Sequence, residues 1–314
     1  MRAMKDGRGW ERQAQDYEDA IREIGQQLCR ADGIVIGAGA GLSVSAGLAY
    51  DGPRFTENFG EFIEKYKMTD MYSAGFYPFR TQEEKWAYWS RHIYVNRYDT
   101  EAGQAYKDLY VLLKDKNYFV ITTNVDHQFQ LAGFPEERIF ATQGDYGLFQ
   151  CKRACHKTLY DNEAQVRAMI KHQENCRIPA QLVPKCPVCG GDMEVNLRSD
   201  GYFVEDESWH RAAERYEEFL NKNLRKNLVF VELGVGMNTP VIIKYPFWKM
   251  TKRMKQASYI CINKGEAWAP EEIGDRSICM NEDIGSVLKD LKNRACRKKR
   301  GIMEERGADV SETV

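Results

Sequence analysis

Four of the nine cysteines form two close pairs that could bind a metal ion. Cys151 and Cys155 make the first pair, and Cys186 and Cys189 make the second, about thirty residues further along the chain. Thiolates paired in this way are typical of tetrahedral zinc sites, and glycines after the second pair suit a tight knuckle turn. Because protein ligands would fill all four positions, we predict a structural zinc that stabilises the fold.

A glycine-rich segment, residues 37–41, follows the short apolar run Ile34–Ile36 and precedes a second apolar segment. Glycines allow the main chain to approach a ligand closely and to adopt positive φ, and N–H groups at a helix start bind phosphate. The segment therefore predicts a strand, loop and helix that hold a dinucleotide. Its pattern is G-x-G-x-G and not G-x-G-x-x-G, so a plain tight turn is the alternative interpretation.

Polar side chains follow two further apolar runs. Asn124 and Asp126 come after Tyr118–Thr122, and Gln143 comes after Ile139 and Phe140. Open parallel sheets bind ligands beyond the carboxyl ends of their strands, so these side chains could share one crevice. They could equally terminate strands or cap helices. His127 lies beside this loop and is a candidate catalytic residue, although a lone histidine is more often structural.

Apolar runs that resemble buried strands alternate with segments of helical periodicity along most of the chain. The strands are predicted at 34–36, 118–122, 228–233 and 258–262, and the helices at 16–30, 104–114 and 284–297. This alternation predicts an α/β fold, with a Rossmann-like parallel sheet that carries helices on both faces. The aromatic-rich segment 51–103 reads as a helical insertion, and the cysteine-bearing segment reads as a small inserted module.

Composition sets limits on partners and location. Lys and Arg number 45 against 46 Asp and Glu, so the net charge of -1 gives no sign of a preference for nucleic acid or acidic membranes. The N-terminal residues lack the apolar core of a secretory signal, and no apolar run reaches the length that spans a bilayer. We therefore expect a cytoplasmic protein with no nucleic-acid or membrane partner, and a frayed tail at 299–314.

Taken together and in order, these segments resemble the sirtuins over most of the range 34–291. The matching segments are the glycine-rich loop 39–48, the T-T-N-V-D run 122–126 with Ala132-Gly133 after it, the two cysteine pairs, the loop Gly234-Val235-Gly236, and Ile262-Asn263. Five matches in the family's order are far more specific than any one of them.

The resemblance implies a Rossmann-like domain and a smaller zinc-ribbon and helical domain, with NAD held between them. The implied NAD-binding domain comprises residues 12–50, 104–147 and 224–298, with the helical insertion at 51–103 and the zinc module at 148–223. Asp126 would hold the nicotinamide amide, and Asn124 would order the nicotinamide ribose. The implied cofactor-binding set is Gly39, Ala40, Gly41, Ser43, Asn124, Asp126, Gln143, Gly234, Gly236, Asn238, Asn263, Asp283 and Ile284.

Three departures from the family pattern bear on the chemistry. Gln143 stands where deacylating sirtuins have histidine, Thr123 replaces a glutamine, and 49–54 replaces the usual P-D-F-R, with Arg54 as a candidate for its arginine. Deacylation needs a general base, and a glutamine amide has no usable pKa for that task. Gln143 could still hydrogen-bond the ribose.

In these departures the chain resembles the macrodomain-linked sirtuins, a subfamily of protein ADP-ribosyltransferases. The resemblance implies transfer of one ADP-ribose to a protein acceptor, with Gln143, Asn124 and Asp126 in the catalytic site. The candidate acceptor that it implies is a lipoylated carrier similar to the glycine-cleavage H protein. A macrodomain hydrolase would reverse the modification. Two alternatives stay open: an NAD-dependent deacylase with His127 as a displaced base, and a non-catalytic NAD-sensing module.

Overall fold

The computed structural model describes residues 8–237 and 239–295, with side chains described from Asp16 onward. Asn238, the last two residues of the predicted terminal helix and the predicted tail at 299–314 lie outside the described residues. By its internal contacts the chain divides into two compact units. The first contains residues up to 42, 104–121 and those from 218 onward, and the second contains 43–103 and 122–217.

The larger of the two sheets has six parallel strands. Its strands are β1 (Gly33–Ala38), β2 (Tyr118–Thr122), β3 (Ile139–Ala141), β7 (Leu228–Leu233), β8 (Ser258–Ile262) and β9 (Ser277–Met280). They lie side by side in the order β3-β2-β1-β7-β8-β9. Strands β1 and β7 are buried along their whole length, as expected for parallel strands that are covered on both faces. The α/β fold with a parallel sheet and flanking helices, predicted from alternating apolar runs, is confirmed.

The first unit contains β1, β2 up to Ile121, β7, β8 and β9, together with the helices that accompany these strands. They are α1 (Arg8–Arg30), the start of α2 (Ala40–Ser45), α6 (Gln104–Leu113), the end of α9 (Glu207–Asn223), α10 (Lys244–Arg253) and α11 at 284–295. Ile21, Ile24 and Leu28 lie on one face of α1 and are buried, because residues three and four positions apart share a face of a helix. The remaining positions of that helix are largely polar.

A buried ion pair lies within the first unit. Lys244 Nζ lies 2.5 Å from Glu232 Oε1, and both side chains are fully buried. Tyr259 donates a further hydrogen bond of 2.6 Å to the other carboxylate oxygen. Glu232 therefore has a cation and a hydroxyl donor in place of the water that burial removes.

The second unit combines helices with a small antiparallel sheet. The helices are α3 (Gly52–Tyr66), α4 (Met71–Ala74), α5 (Gln82–Ile93), α7 (Gln128–Leu131) and α8 (Glu163–Lys171), with a π-helical turn at Tyr94–Tyr98. The strands are β4 (Gly144–Cys151), β5 (Tyr160–Asp161) and β6 (Met193–Leu197), in the order β5-β4-β6. The helical insertion and the cysteine-bearing module, predicted as separate segments, share one apolar core that includes Phe59, Trp86 and Phe149.

Within the described part of the chain, none of the helices has the length and apolar character needed to cross a membrane.

Candidate functional site

The glycine-rich loop after β1 packs directly against the loop after β7. A Cβ atom on Gly39 would lie 2.7 Å from the carbonyl oxygen of Gly234, and one on Gly41 would lie 2.7 Å from the Gly234 Cα atom. Side chains at these positions would collide with backbone, so the close approach of the two loops requires glycine.

The positive φ expected in the first loop occurs in its neighbour. Neither Gly39 nor Gly41 has positive φ, whereas Gly234 has φ of 63°. The N–H groups of Gly39 and Gly41 donate to the carbonyls of Leu233 and Gly234, each at 3.0 Å. Within the described residues the N–H of Ala40, at the start of α2, has no acceptor. The glycines thus bring together the two loops that follow the carboxyl ends of β1 and β7. The N–H of Ala40 remains available to an anion.

The other predicted cofactor residues of the first unit lie near the ends of its strands. Asn263 follows β8, is buried, and donates to the Val235 carbonyl at 3.1 Å. Gly236 is half-buried in the loop after β7. Asp283 caps α11 by accepting from the N–H of Ser286 at 2.8 Å, and Ile284 is buried at the first position of that helix.

Asp126 is a buried carboxylate of the second unit, with 6% of its surface exposed. Ser43 donates a hydrogen bond of 2.5 Å to its Oδ2 atom, and the N–H of Gln128 donates to its Oδ1 atom at 3.2 Å. Burial raises the pKa of Asp126 above its ordinary value, and these two hydrogen bonds act in the opposite direction.

Asn124 and Gln143 are held by neighbouring segments. The N–H and hydroxyl of Thr142 both donate to the carbonyl of Thr122, so the residue before Gln143 is paired with the residue two before Asn124. Gly144, directly after Gln143, has φ of 100°, and a Cβ atom there would collide with the Asn196 carbonyl. Glycine is therefore required beside Gln143, which is half-buried.

His127 is hydrogen-bonded to a carboxylate within the second unit. Its Nδ1 atom lies 2.7 Å from Asp145 Oδ2, and the other carboxylate oxygen accepts from Arg97 Nε at 3.0 Å and from the N–H of Gly147 at 2.6 Å. Burial favours a higher pKa for Asp145, but the hydrogen bond to His127 and the charge of Arg97 outweigh it and lower that pKa. His127, Asp145, Asn124 and Asp126 line one small cavity.

Arg54, considered as a replacement for the family's arginine, forms hydrogen bonds with other residues of the second unit. It donates to Asn96 Oδ1 at 2.8 Å, to the Val95 carbonyl at 2.7 Å and to the Ala49 carbonyl at 3.2 Å. The polar residues near Arg54 could not be identified from the sequence, because they are far apart in the chain and match no motif. Hydrogen bonds link the side chains of three of them, Tyr50, Tyr146 and His92.

The four predicted metal ligands come together in the second unit. The sulfur atoms of Cys151, Cys155, Cys186 and Cys189 all lie within 4.8 Å of one another. Two of the separations are 3.8 Å and 3.7 Å, for Cys151 with Cys189 and for Cys155 with Cys186. A tetrahedral zinc with Zn–S bonds of about 2.3 Å has sulfurs about 3.8 Å apart, so this cluster has the dimensions of a four-cysteine zinc site.

The surroundings of the cluster act differently on its cysteines. Desolvation and hydrogen bonds with the other cysteine sulfurs raise the pKa of Cys155 to about 12. A side-chain hydrogen bond from Arg153 and the N–H of Gly191 lower the pKa of Cys189 to about 6. The Cys186 N–H donates to the Gly191 carbonyl at 2.7 Å and the Gly190 N–H donates back to the Cys186 carbonyl at 2.8 Å, which closes the predicted knuckle turn. The cluster is thus compatible with a four-coordinate structural zinc, as predicted.

Two named proteins are similar to this chain in amino-acid sequence. A protein of Staphylococcus aureus named "Protein ADP-ribosyltransferase" is 40% identical over 259 residues, which cover 82% of each chain. A Fusarium oxysporum protein named "Probable bifunctional ADP-ribose hydrolase/ADP-ribosyltransferase" is 31% identical over 276 residues, 83% of this chain but only 46% of the relative.

Solved structures show the same fold at low sequence identity. Sir2Tm bound to a propionylated peptide matches 88% of this chain and 98% of its own, with 18% identity and a TM-score of 0.55. A Sir2 homologue in complex with NAD matches 88% of this chain and 94% of its own, with 17% identity and a TM-score of 0.57. Residues 39–230 match the sequence profile described as the Sir2 family, so this chain belongs to the Sir2 family, the sirtuins.

Proposed function

We propose that this protein is an NAD-dependent protein mono-ADP-ribosyltransferase that releases nicotinamide and acts in the cytoplasm. Two relatives whose names include ADP-ribosyltransferase, at 40% and 31% identity, support the class of reaction. Membership of the Sir2 family supports NAD as the donor. When bound, NAD supplies ADP-ribose attached to a nicotinamide leaving group.

The observation that carries the proposal is Gln143. It stands at the position where deacylating sirtuins have histidine, and the Gly144 turn fixes its backbone. A primary amide donates and accepts hydrogen bonds but does not take up a proton near neutral pH. Gln143 can therefore orient a ribose hydroxyl and cannot deprotonate it, which removes the step that deacylation requires.

The other site residues have complementary tasks in this proposal. Asp126, buried and held by Ser43, accepts a hydrogen bond from the nicotinamide amide, and Asn124 orders the adjacent ribose. The remaining NAD contacts are assigned to backbone and amide groups of Gly39, Ala40, Gly41, Gly234, Gly236, Asn238 and Asn263, and to Asp283 with Ile284 at the start of α11. The zinc of the four-cysteine cluster holds the second unit together and takes no part in the reaction.

The acceptor is proposed to be a protein, with a lipoylated carrier similar to the glycine-cleavage H protein as the first candidate. The resemblance to macrodomain-linked sirtuins supports this choice, and the name of the Fusarium relative pairs ADP-ribosyl transfer with an ADP-ribose hydrolase. A separate macrodomain hydrolase would then remove the modification.

A second candidate function, NAD-dependent deacylation, is favoured by one specific observation. His127 shares a 2.7 Å hydrogen bond with Asp145 through Nδ1, and an imidazole held in this way can act as a base through Nε2. If His127 replaces the missing base, acyl-lysine turnover should occur and should vanish in His127→Ala.

Nicotinamide release distinguishes these functions. The protein is incubated with NAD alone, with a lipoylated carrier, or with an acetyl-lysine peptide, and nicotinamide is measured by chromatography. We expect nicotinamide to be released only with the carrier, in an amount equal to the ADP-ribose attached to the carrier. Release that depends only on the peptide would favour the deacylase, and NAD binding without release under any condition would favour an NAD-sensing module.

A further inference from the structure

Four side chains in the second unit form one continuous chain of hydrogen bonds. The hydroxyl oxygens of Tyr50 and Tyr146 are 2.7 Å apart, and Tyr146 lies 2.9 Å from His92 Nε2. On the other side of the imidazole, Nδ1 lies 3.2 Å from the Tyr88 hydroxyl, which donates to the Met71 carbonyl at 2.6 Å. Tyr88, His92 and Tyr146 are buried, and Tyr50 is half-buried at the outer end.

The inner end of the chain fixes the direction of every hydrogen bond. A carbonyl only accepts, so Tyr88 uses its single hydroxyl proton on Met71 and must accept from His92 Nδ1. A neutral imidazole that donates through Nδ1 accepts through Nε2, so Tyr146 donates to His92. Tyr146 then has no proton left for its outer neighbour and accepts from the Tyr50 hydroxyl.

This direction depends on a neutral His92, and its surroundings keep it neutral. The imidazole is 2% exposed, and its burial, with the nearby charge of Arg54, lowers its pKa to about 3. Burial also raises the pKa of Tyr50 to about 12, so its hydroxyl is protonated near neutral pH. All four groups are therefore uncharged, and the proton of Tyr50 points inward.

Tyr50 consequently presents only an acceptor to its surroundings. No described residue donates to its oxygen, since Tyr146 accepts from it and the hydrogen bonds of Arg54 go to Asn96, Val95, Ala49 and the sulfur of Met71. The N–H of Tyr146, the hydrogen-bond partner of Tyr50, donates at 3.0 Å to the carbonyl of Val125, which lies between Asn124 and Asp126 in the chain. The Tyr50 acceptor therefore lies near the segment that bears the proposed nicotinamide-binding carboxylate. NAD held by Asp126 through its carboxamide would offer this acceptor the N–H of the carboxamide and the O–H groups of the adjacent ribose.

We propose that Tyr50 is an NAD-binding residue that accepts a hydrogen bond from the nicotinamide riboside portion of the dinucleotide. Tyr146 and His92 are positioning residues that make Tyr50 an acceptor and prevent it from acting as a donor. Two sources of the donor share this chemistry, the ribose 2′-hydroxyl and the carboxamide N–H. The inference rests on the proposed use of NAD, and it assigns a role to the segment where the chain departs from the family's P-D-F-R.

Equilibrium binding tests this inference without requiring transfer. Calorimetry with NAD is compared with NAD analogues that lack the 2′-hydroxyl or carry an acetyl group in place of the carboxamide. Wild-type protein should bind one analogue more weakly than NAD, and the hydrogen bond to Tyr50 should account for about 3- to 10-fold of that penalty, the effect of one neutral hydrogen bond. In Tyr50→Phe, binding of NAD should weaken by a similar factor, and the penalty for that analogue should shrink by the same factor, because the contacts of Asp126, Asn124 and Gln143 remain.

Further variants separate positioning from folding. Tyr146→Phe keeps the ring but frees the Tyr50 proton, so it should reduce the same analogue penalty, while the exposed Tyr72→Phe should leave it unchanged. Nitrogen NMR of wild-type protein should find the His92 proton on Nδ1, and thermal melting confirms that each variant is folded.

The outcomes separate this inference from the proposed function. Unchanged penalties for both analogues in folded Tyr50→Phe, a His92 proton on Nε2, or a wild-type protein that binds no NAD would overturn the role of Tyr50. NAD binding with the predicted analogue pattern but no ADP-ribosyl transfer would uphold it and refute the transferase activity instead.

Discussion

Ser43 donates a hydrogen bond of 2.5 Å to the buried carboxylate of Asp126, 83 residues further along the chain. Ser43 lies in the short helix Ala40–Ser45, inside the glycine-rich loop 39–48, and Asp126 is the last residue of the T-T-N-V-D run. The bond joins two motifs that the sequence presents separately. Since burial raises the pKa of Asp126, the hydroxyl of Ser43 is one of the groups that keep this carboxylate ionised.

Replacing Ser43 with alanine should raise the pKa of Asp126 further, because the variant loses a donor that stabilises the charged form. A hydrogen bond to a charged group contributes about 1.5–3 kcal/mol, which corresponds to roughly one to two pH units. If ionised Asp126 is needed, the acidic limb of kcat/KM against pH should move upward in Ser43→Ala. Ser43→Thr, which keeps the hydroxyl, is the control, and an unmoved limb in both variants would refute the link.

Gln143→Ala should reduce transfer more than it reduces NAD affinity. If Gln143 orders the ribose mainly as the glycosidic bond breaks, its interaction is stronger in the transition state than in the ground state. Single-turnover transfer and calorimetric NAD binding are measured on the same preparation. Equal losses in the two would show that Gln143 contributes to ground-state binding only.

Replacing Cys186 with serine should remove zinc and unfold part of the second unit, because metal binding at a closed four-cysteine site is coupled to folding. Wild-type protein should contain about one zinc per chain, as expected for a single site of this kind. Cys29→Ser is the matched control, since Cys29 is exposed and lies outside the cluster. A folded, metal-free Cys186→Ser protein would contradict the zinc assignment.

His92 should make stability fall as the solution becomes acidic. Its folded pKa is lowered to about 3, so the unfolded chain, with an ordinary pKa of about 6.5, binds more protons between these values. Stability from this residue is complete above the unfolded pKa and is lost as pH falls below it. From pH 7.5 to 5.0 the wild-type protein should lose about 2 kcal/mol more than His92→Gln.

Urea unfolding at the two pH values measures this difference directly. The comparison uses the change with pH in each protein, because His92→Gln also alters hydrogen bonds with Tyr88 and Tyr146 and so lowers stability at both values. Identical pH dependence in the two proteins would show that His92 titrates normally in the folded state.

The central strands could be predicted from the sequence, because their apolar runs are uninterrupted and both faces are buried. The bounds 118–122, 228–233 and 258–262 agree with the structure. The segment 151–198 showed no clear periodicity, yet it contains β6 and α8, whose residues pack in a mixed aromatic and sulfur-rich core. Edge strands and short helices of this kind leave too few repeats for a periodic signal.

Motif residues of the site were also predictable, whereas their supporting residues were not. The four cysteines were identified from spacing alone and lie together. His92, Tyr146, Asp145 and Arg97 gave no signal, because each acquires its partner through tertiary contacts with residues distant in sequence. Glycine is required at positions 39 and 41 for the close contact with Gly234 and not, as expected, for positive φ.

The most direct measurement is intact-mass spectrometry of one reaction that contains purified enzyme, NAD, a lipoylated H-like carrier and an acetyl-lysine peptide. Parallel reactions contain Gln143→Ala and His127→Ala. We expect an ADP-ribosyl adduct on the carrier, an untouched peptide, and loss of the adduct in Gln143→Ala. Deacetylation of the peptide that disappears in His127→Ala, with an unmodified carrier, would refute the assignment of this protein as a transferase.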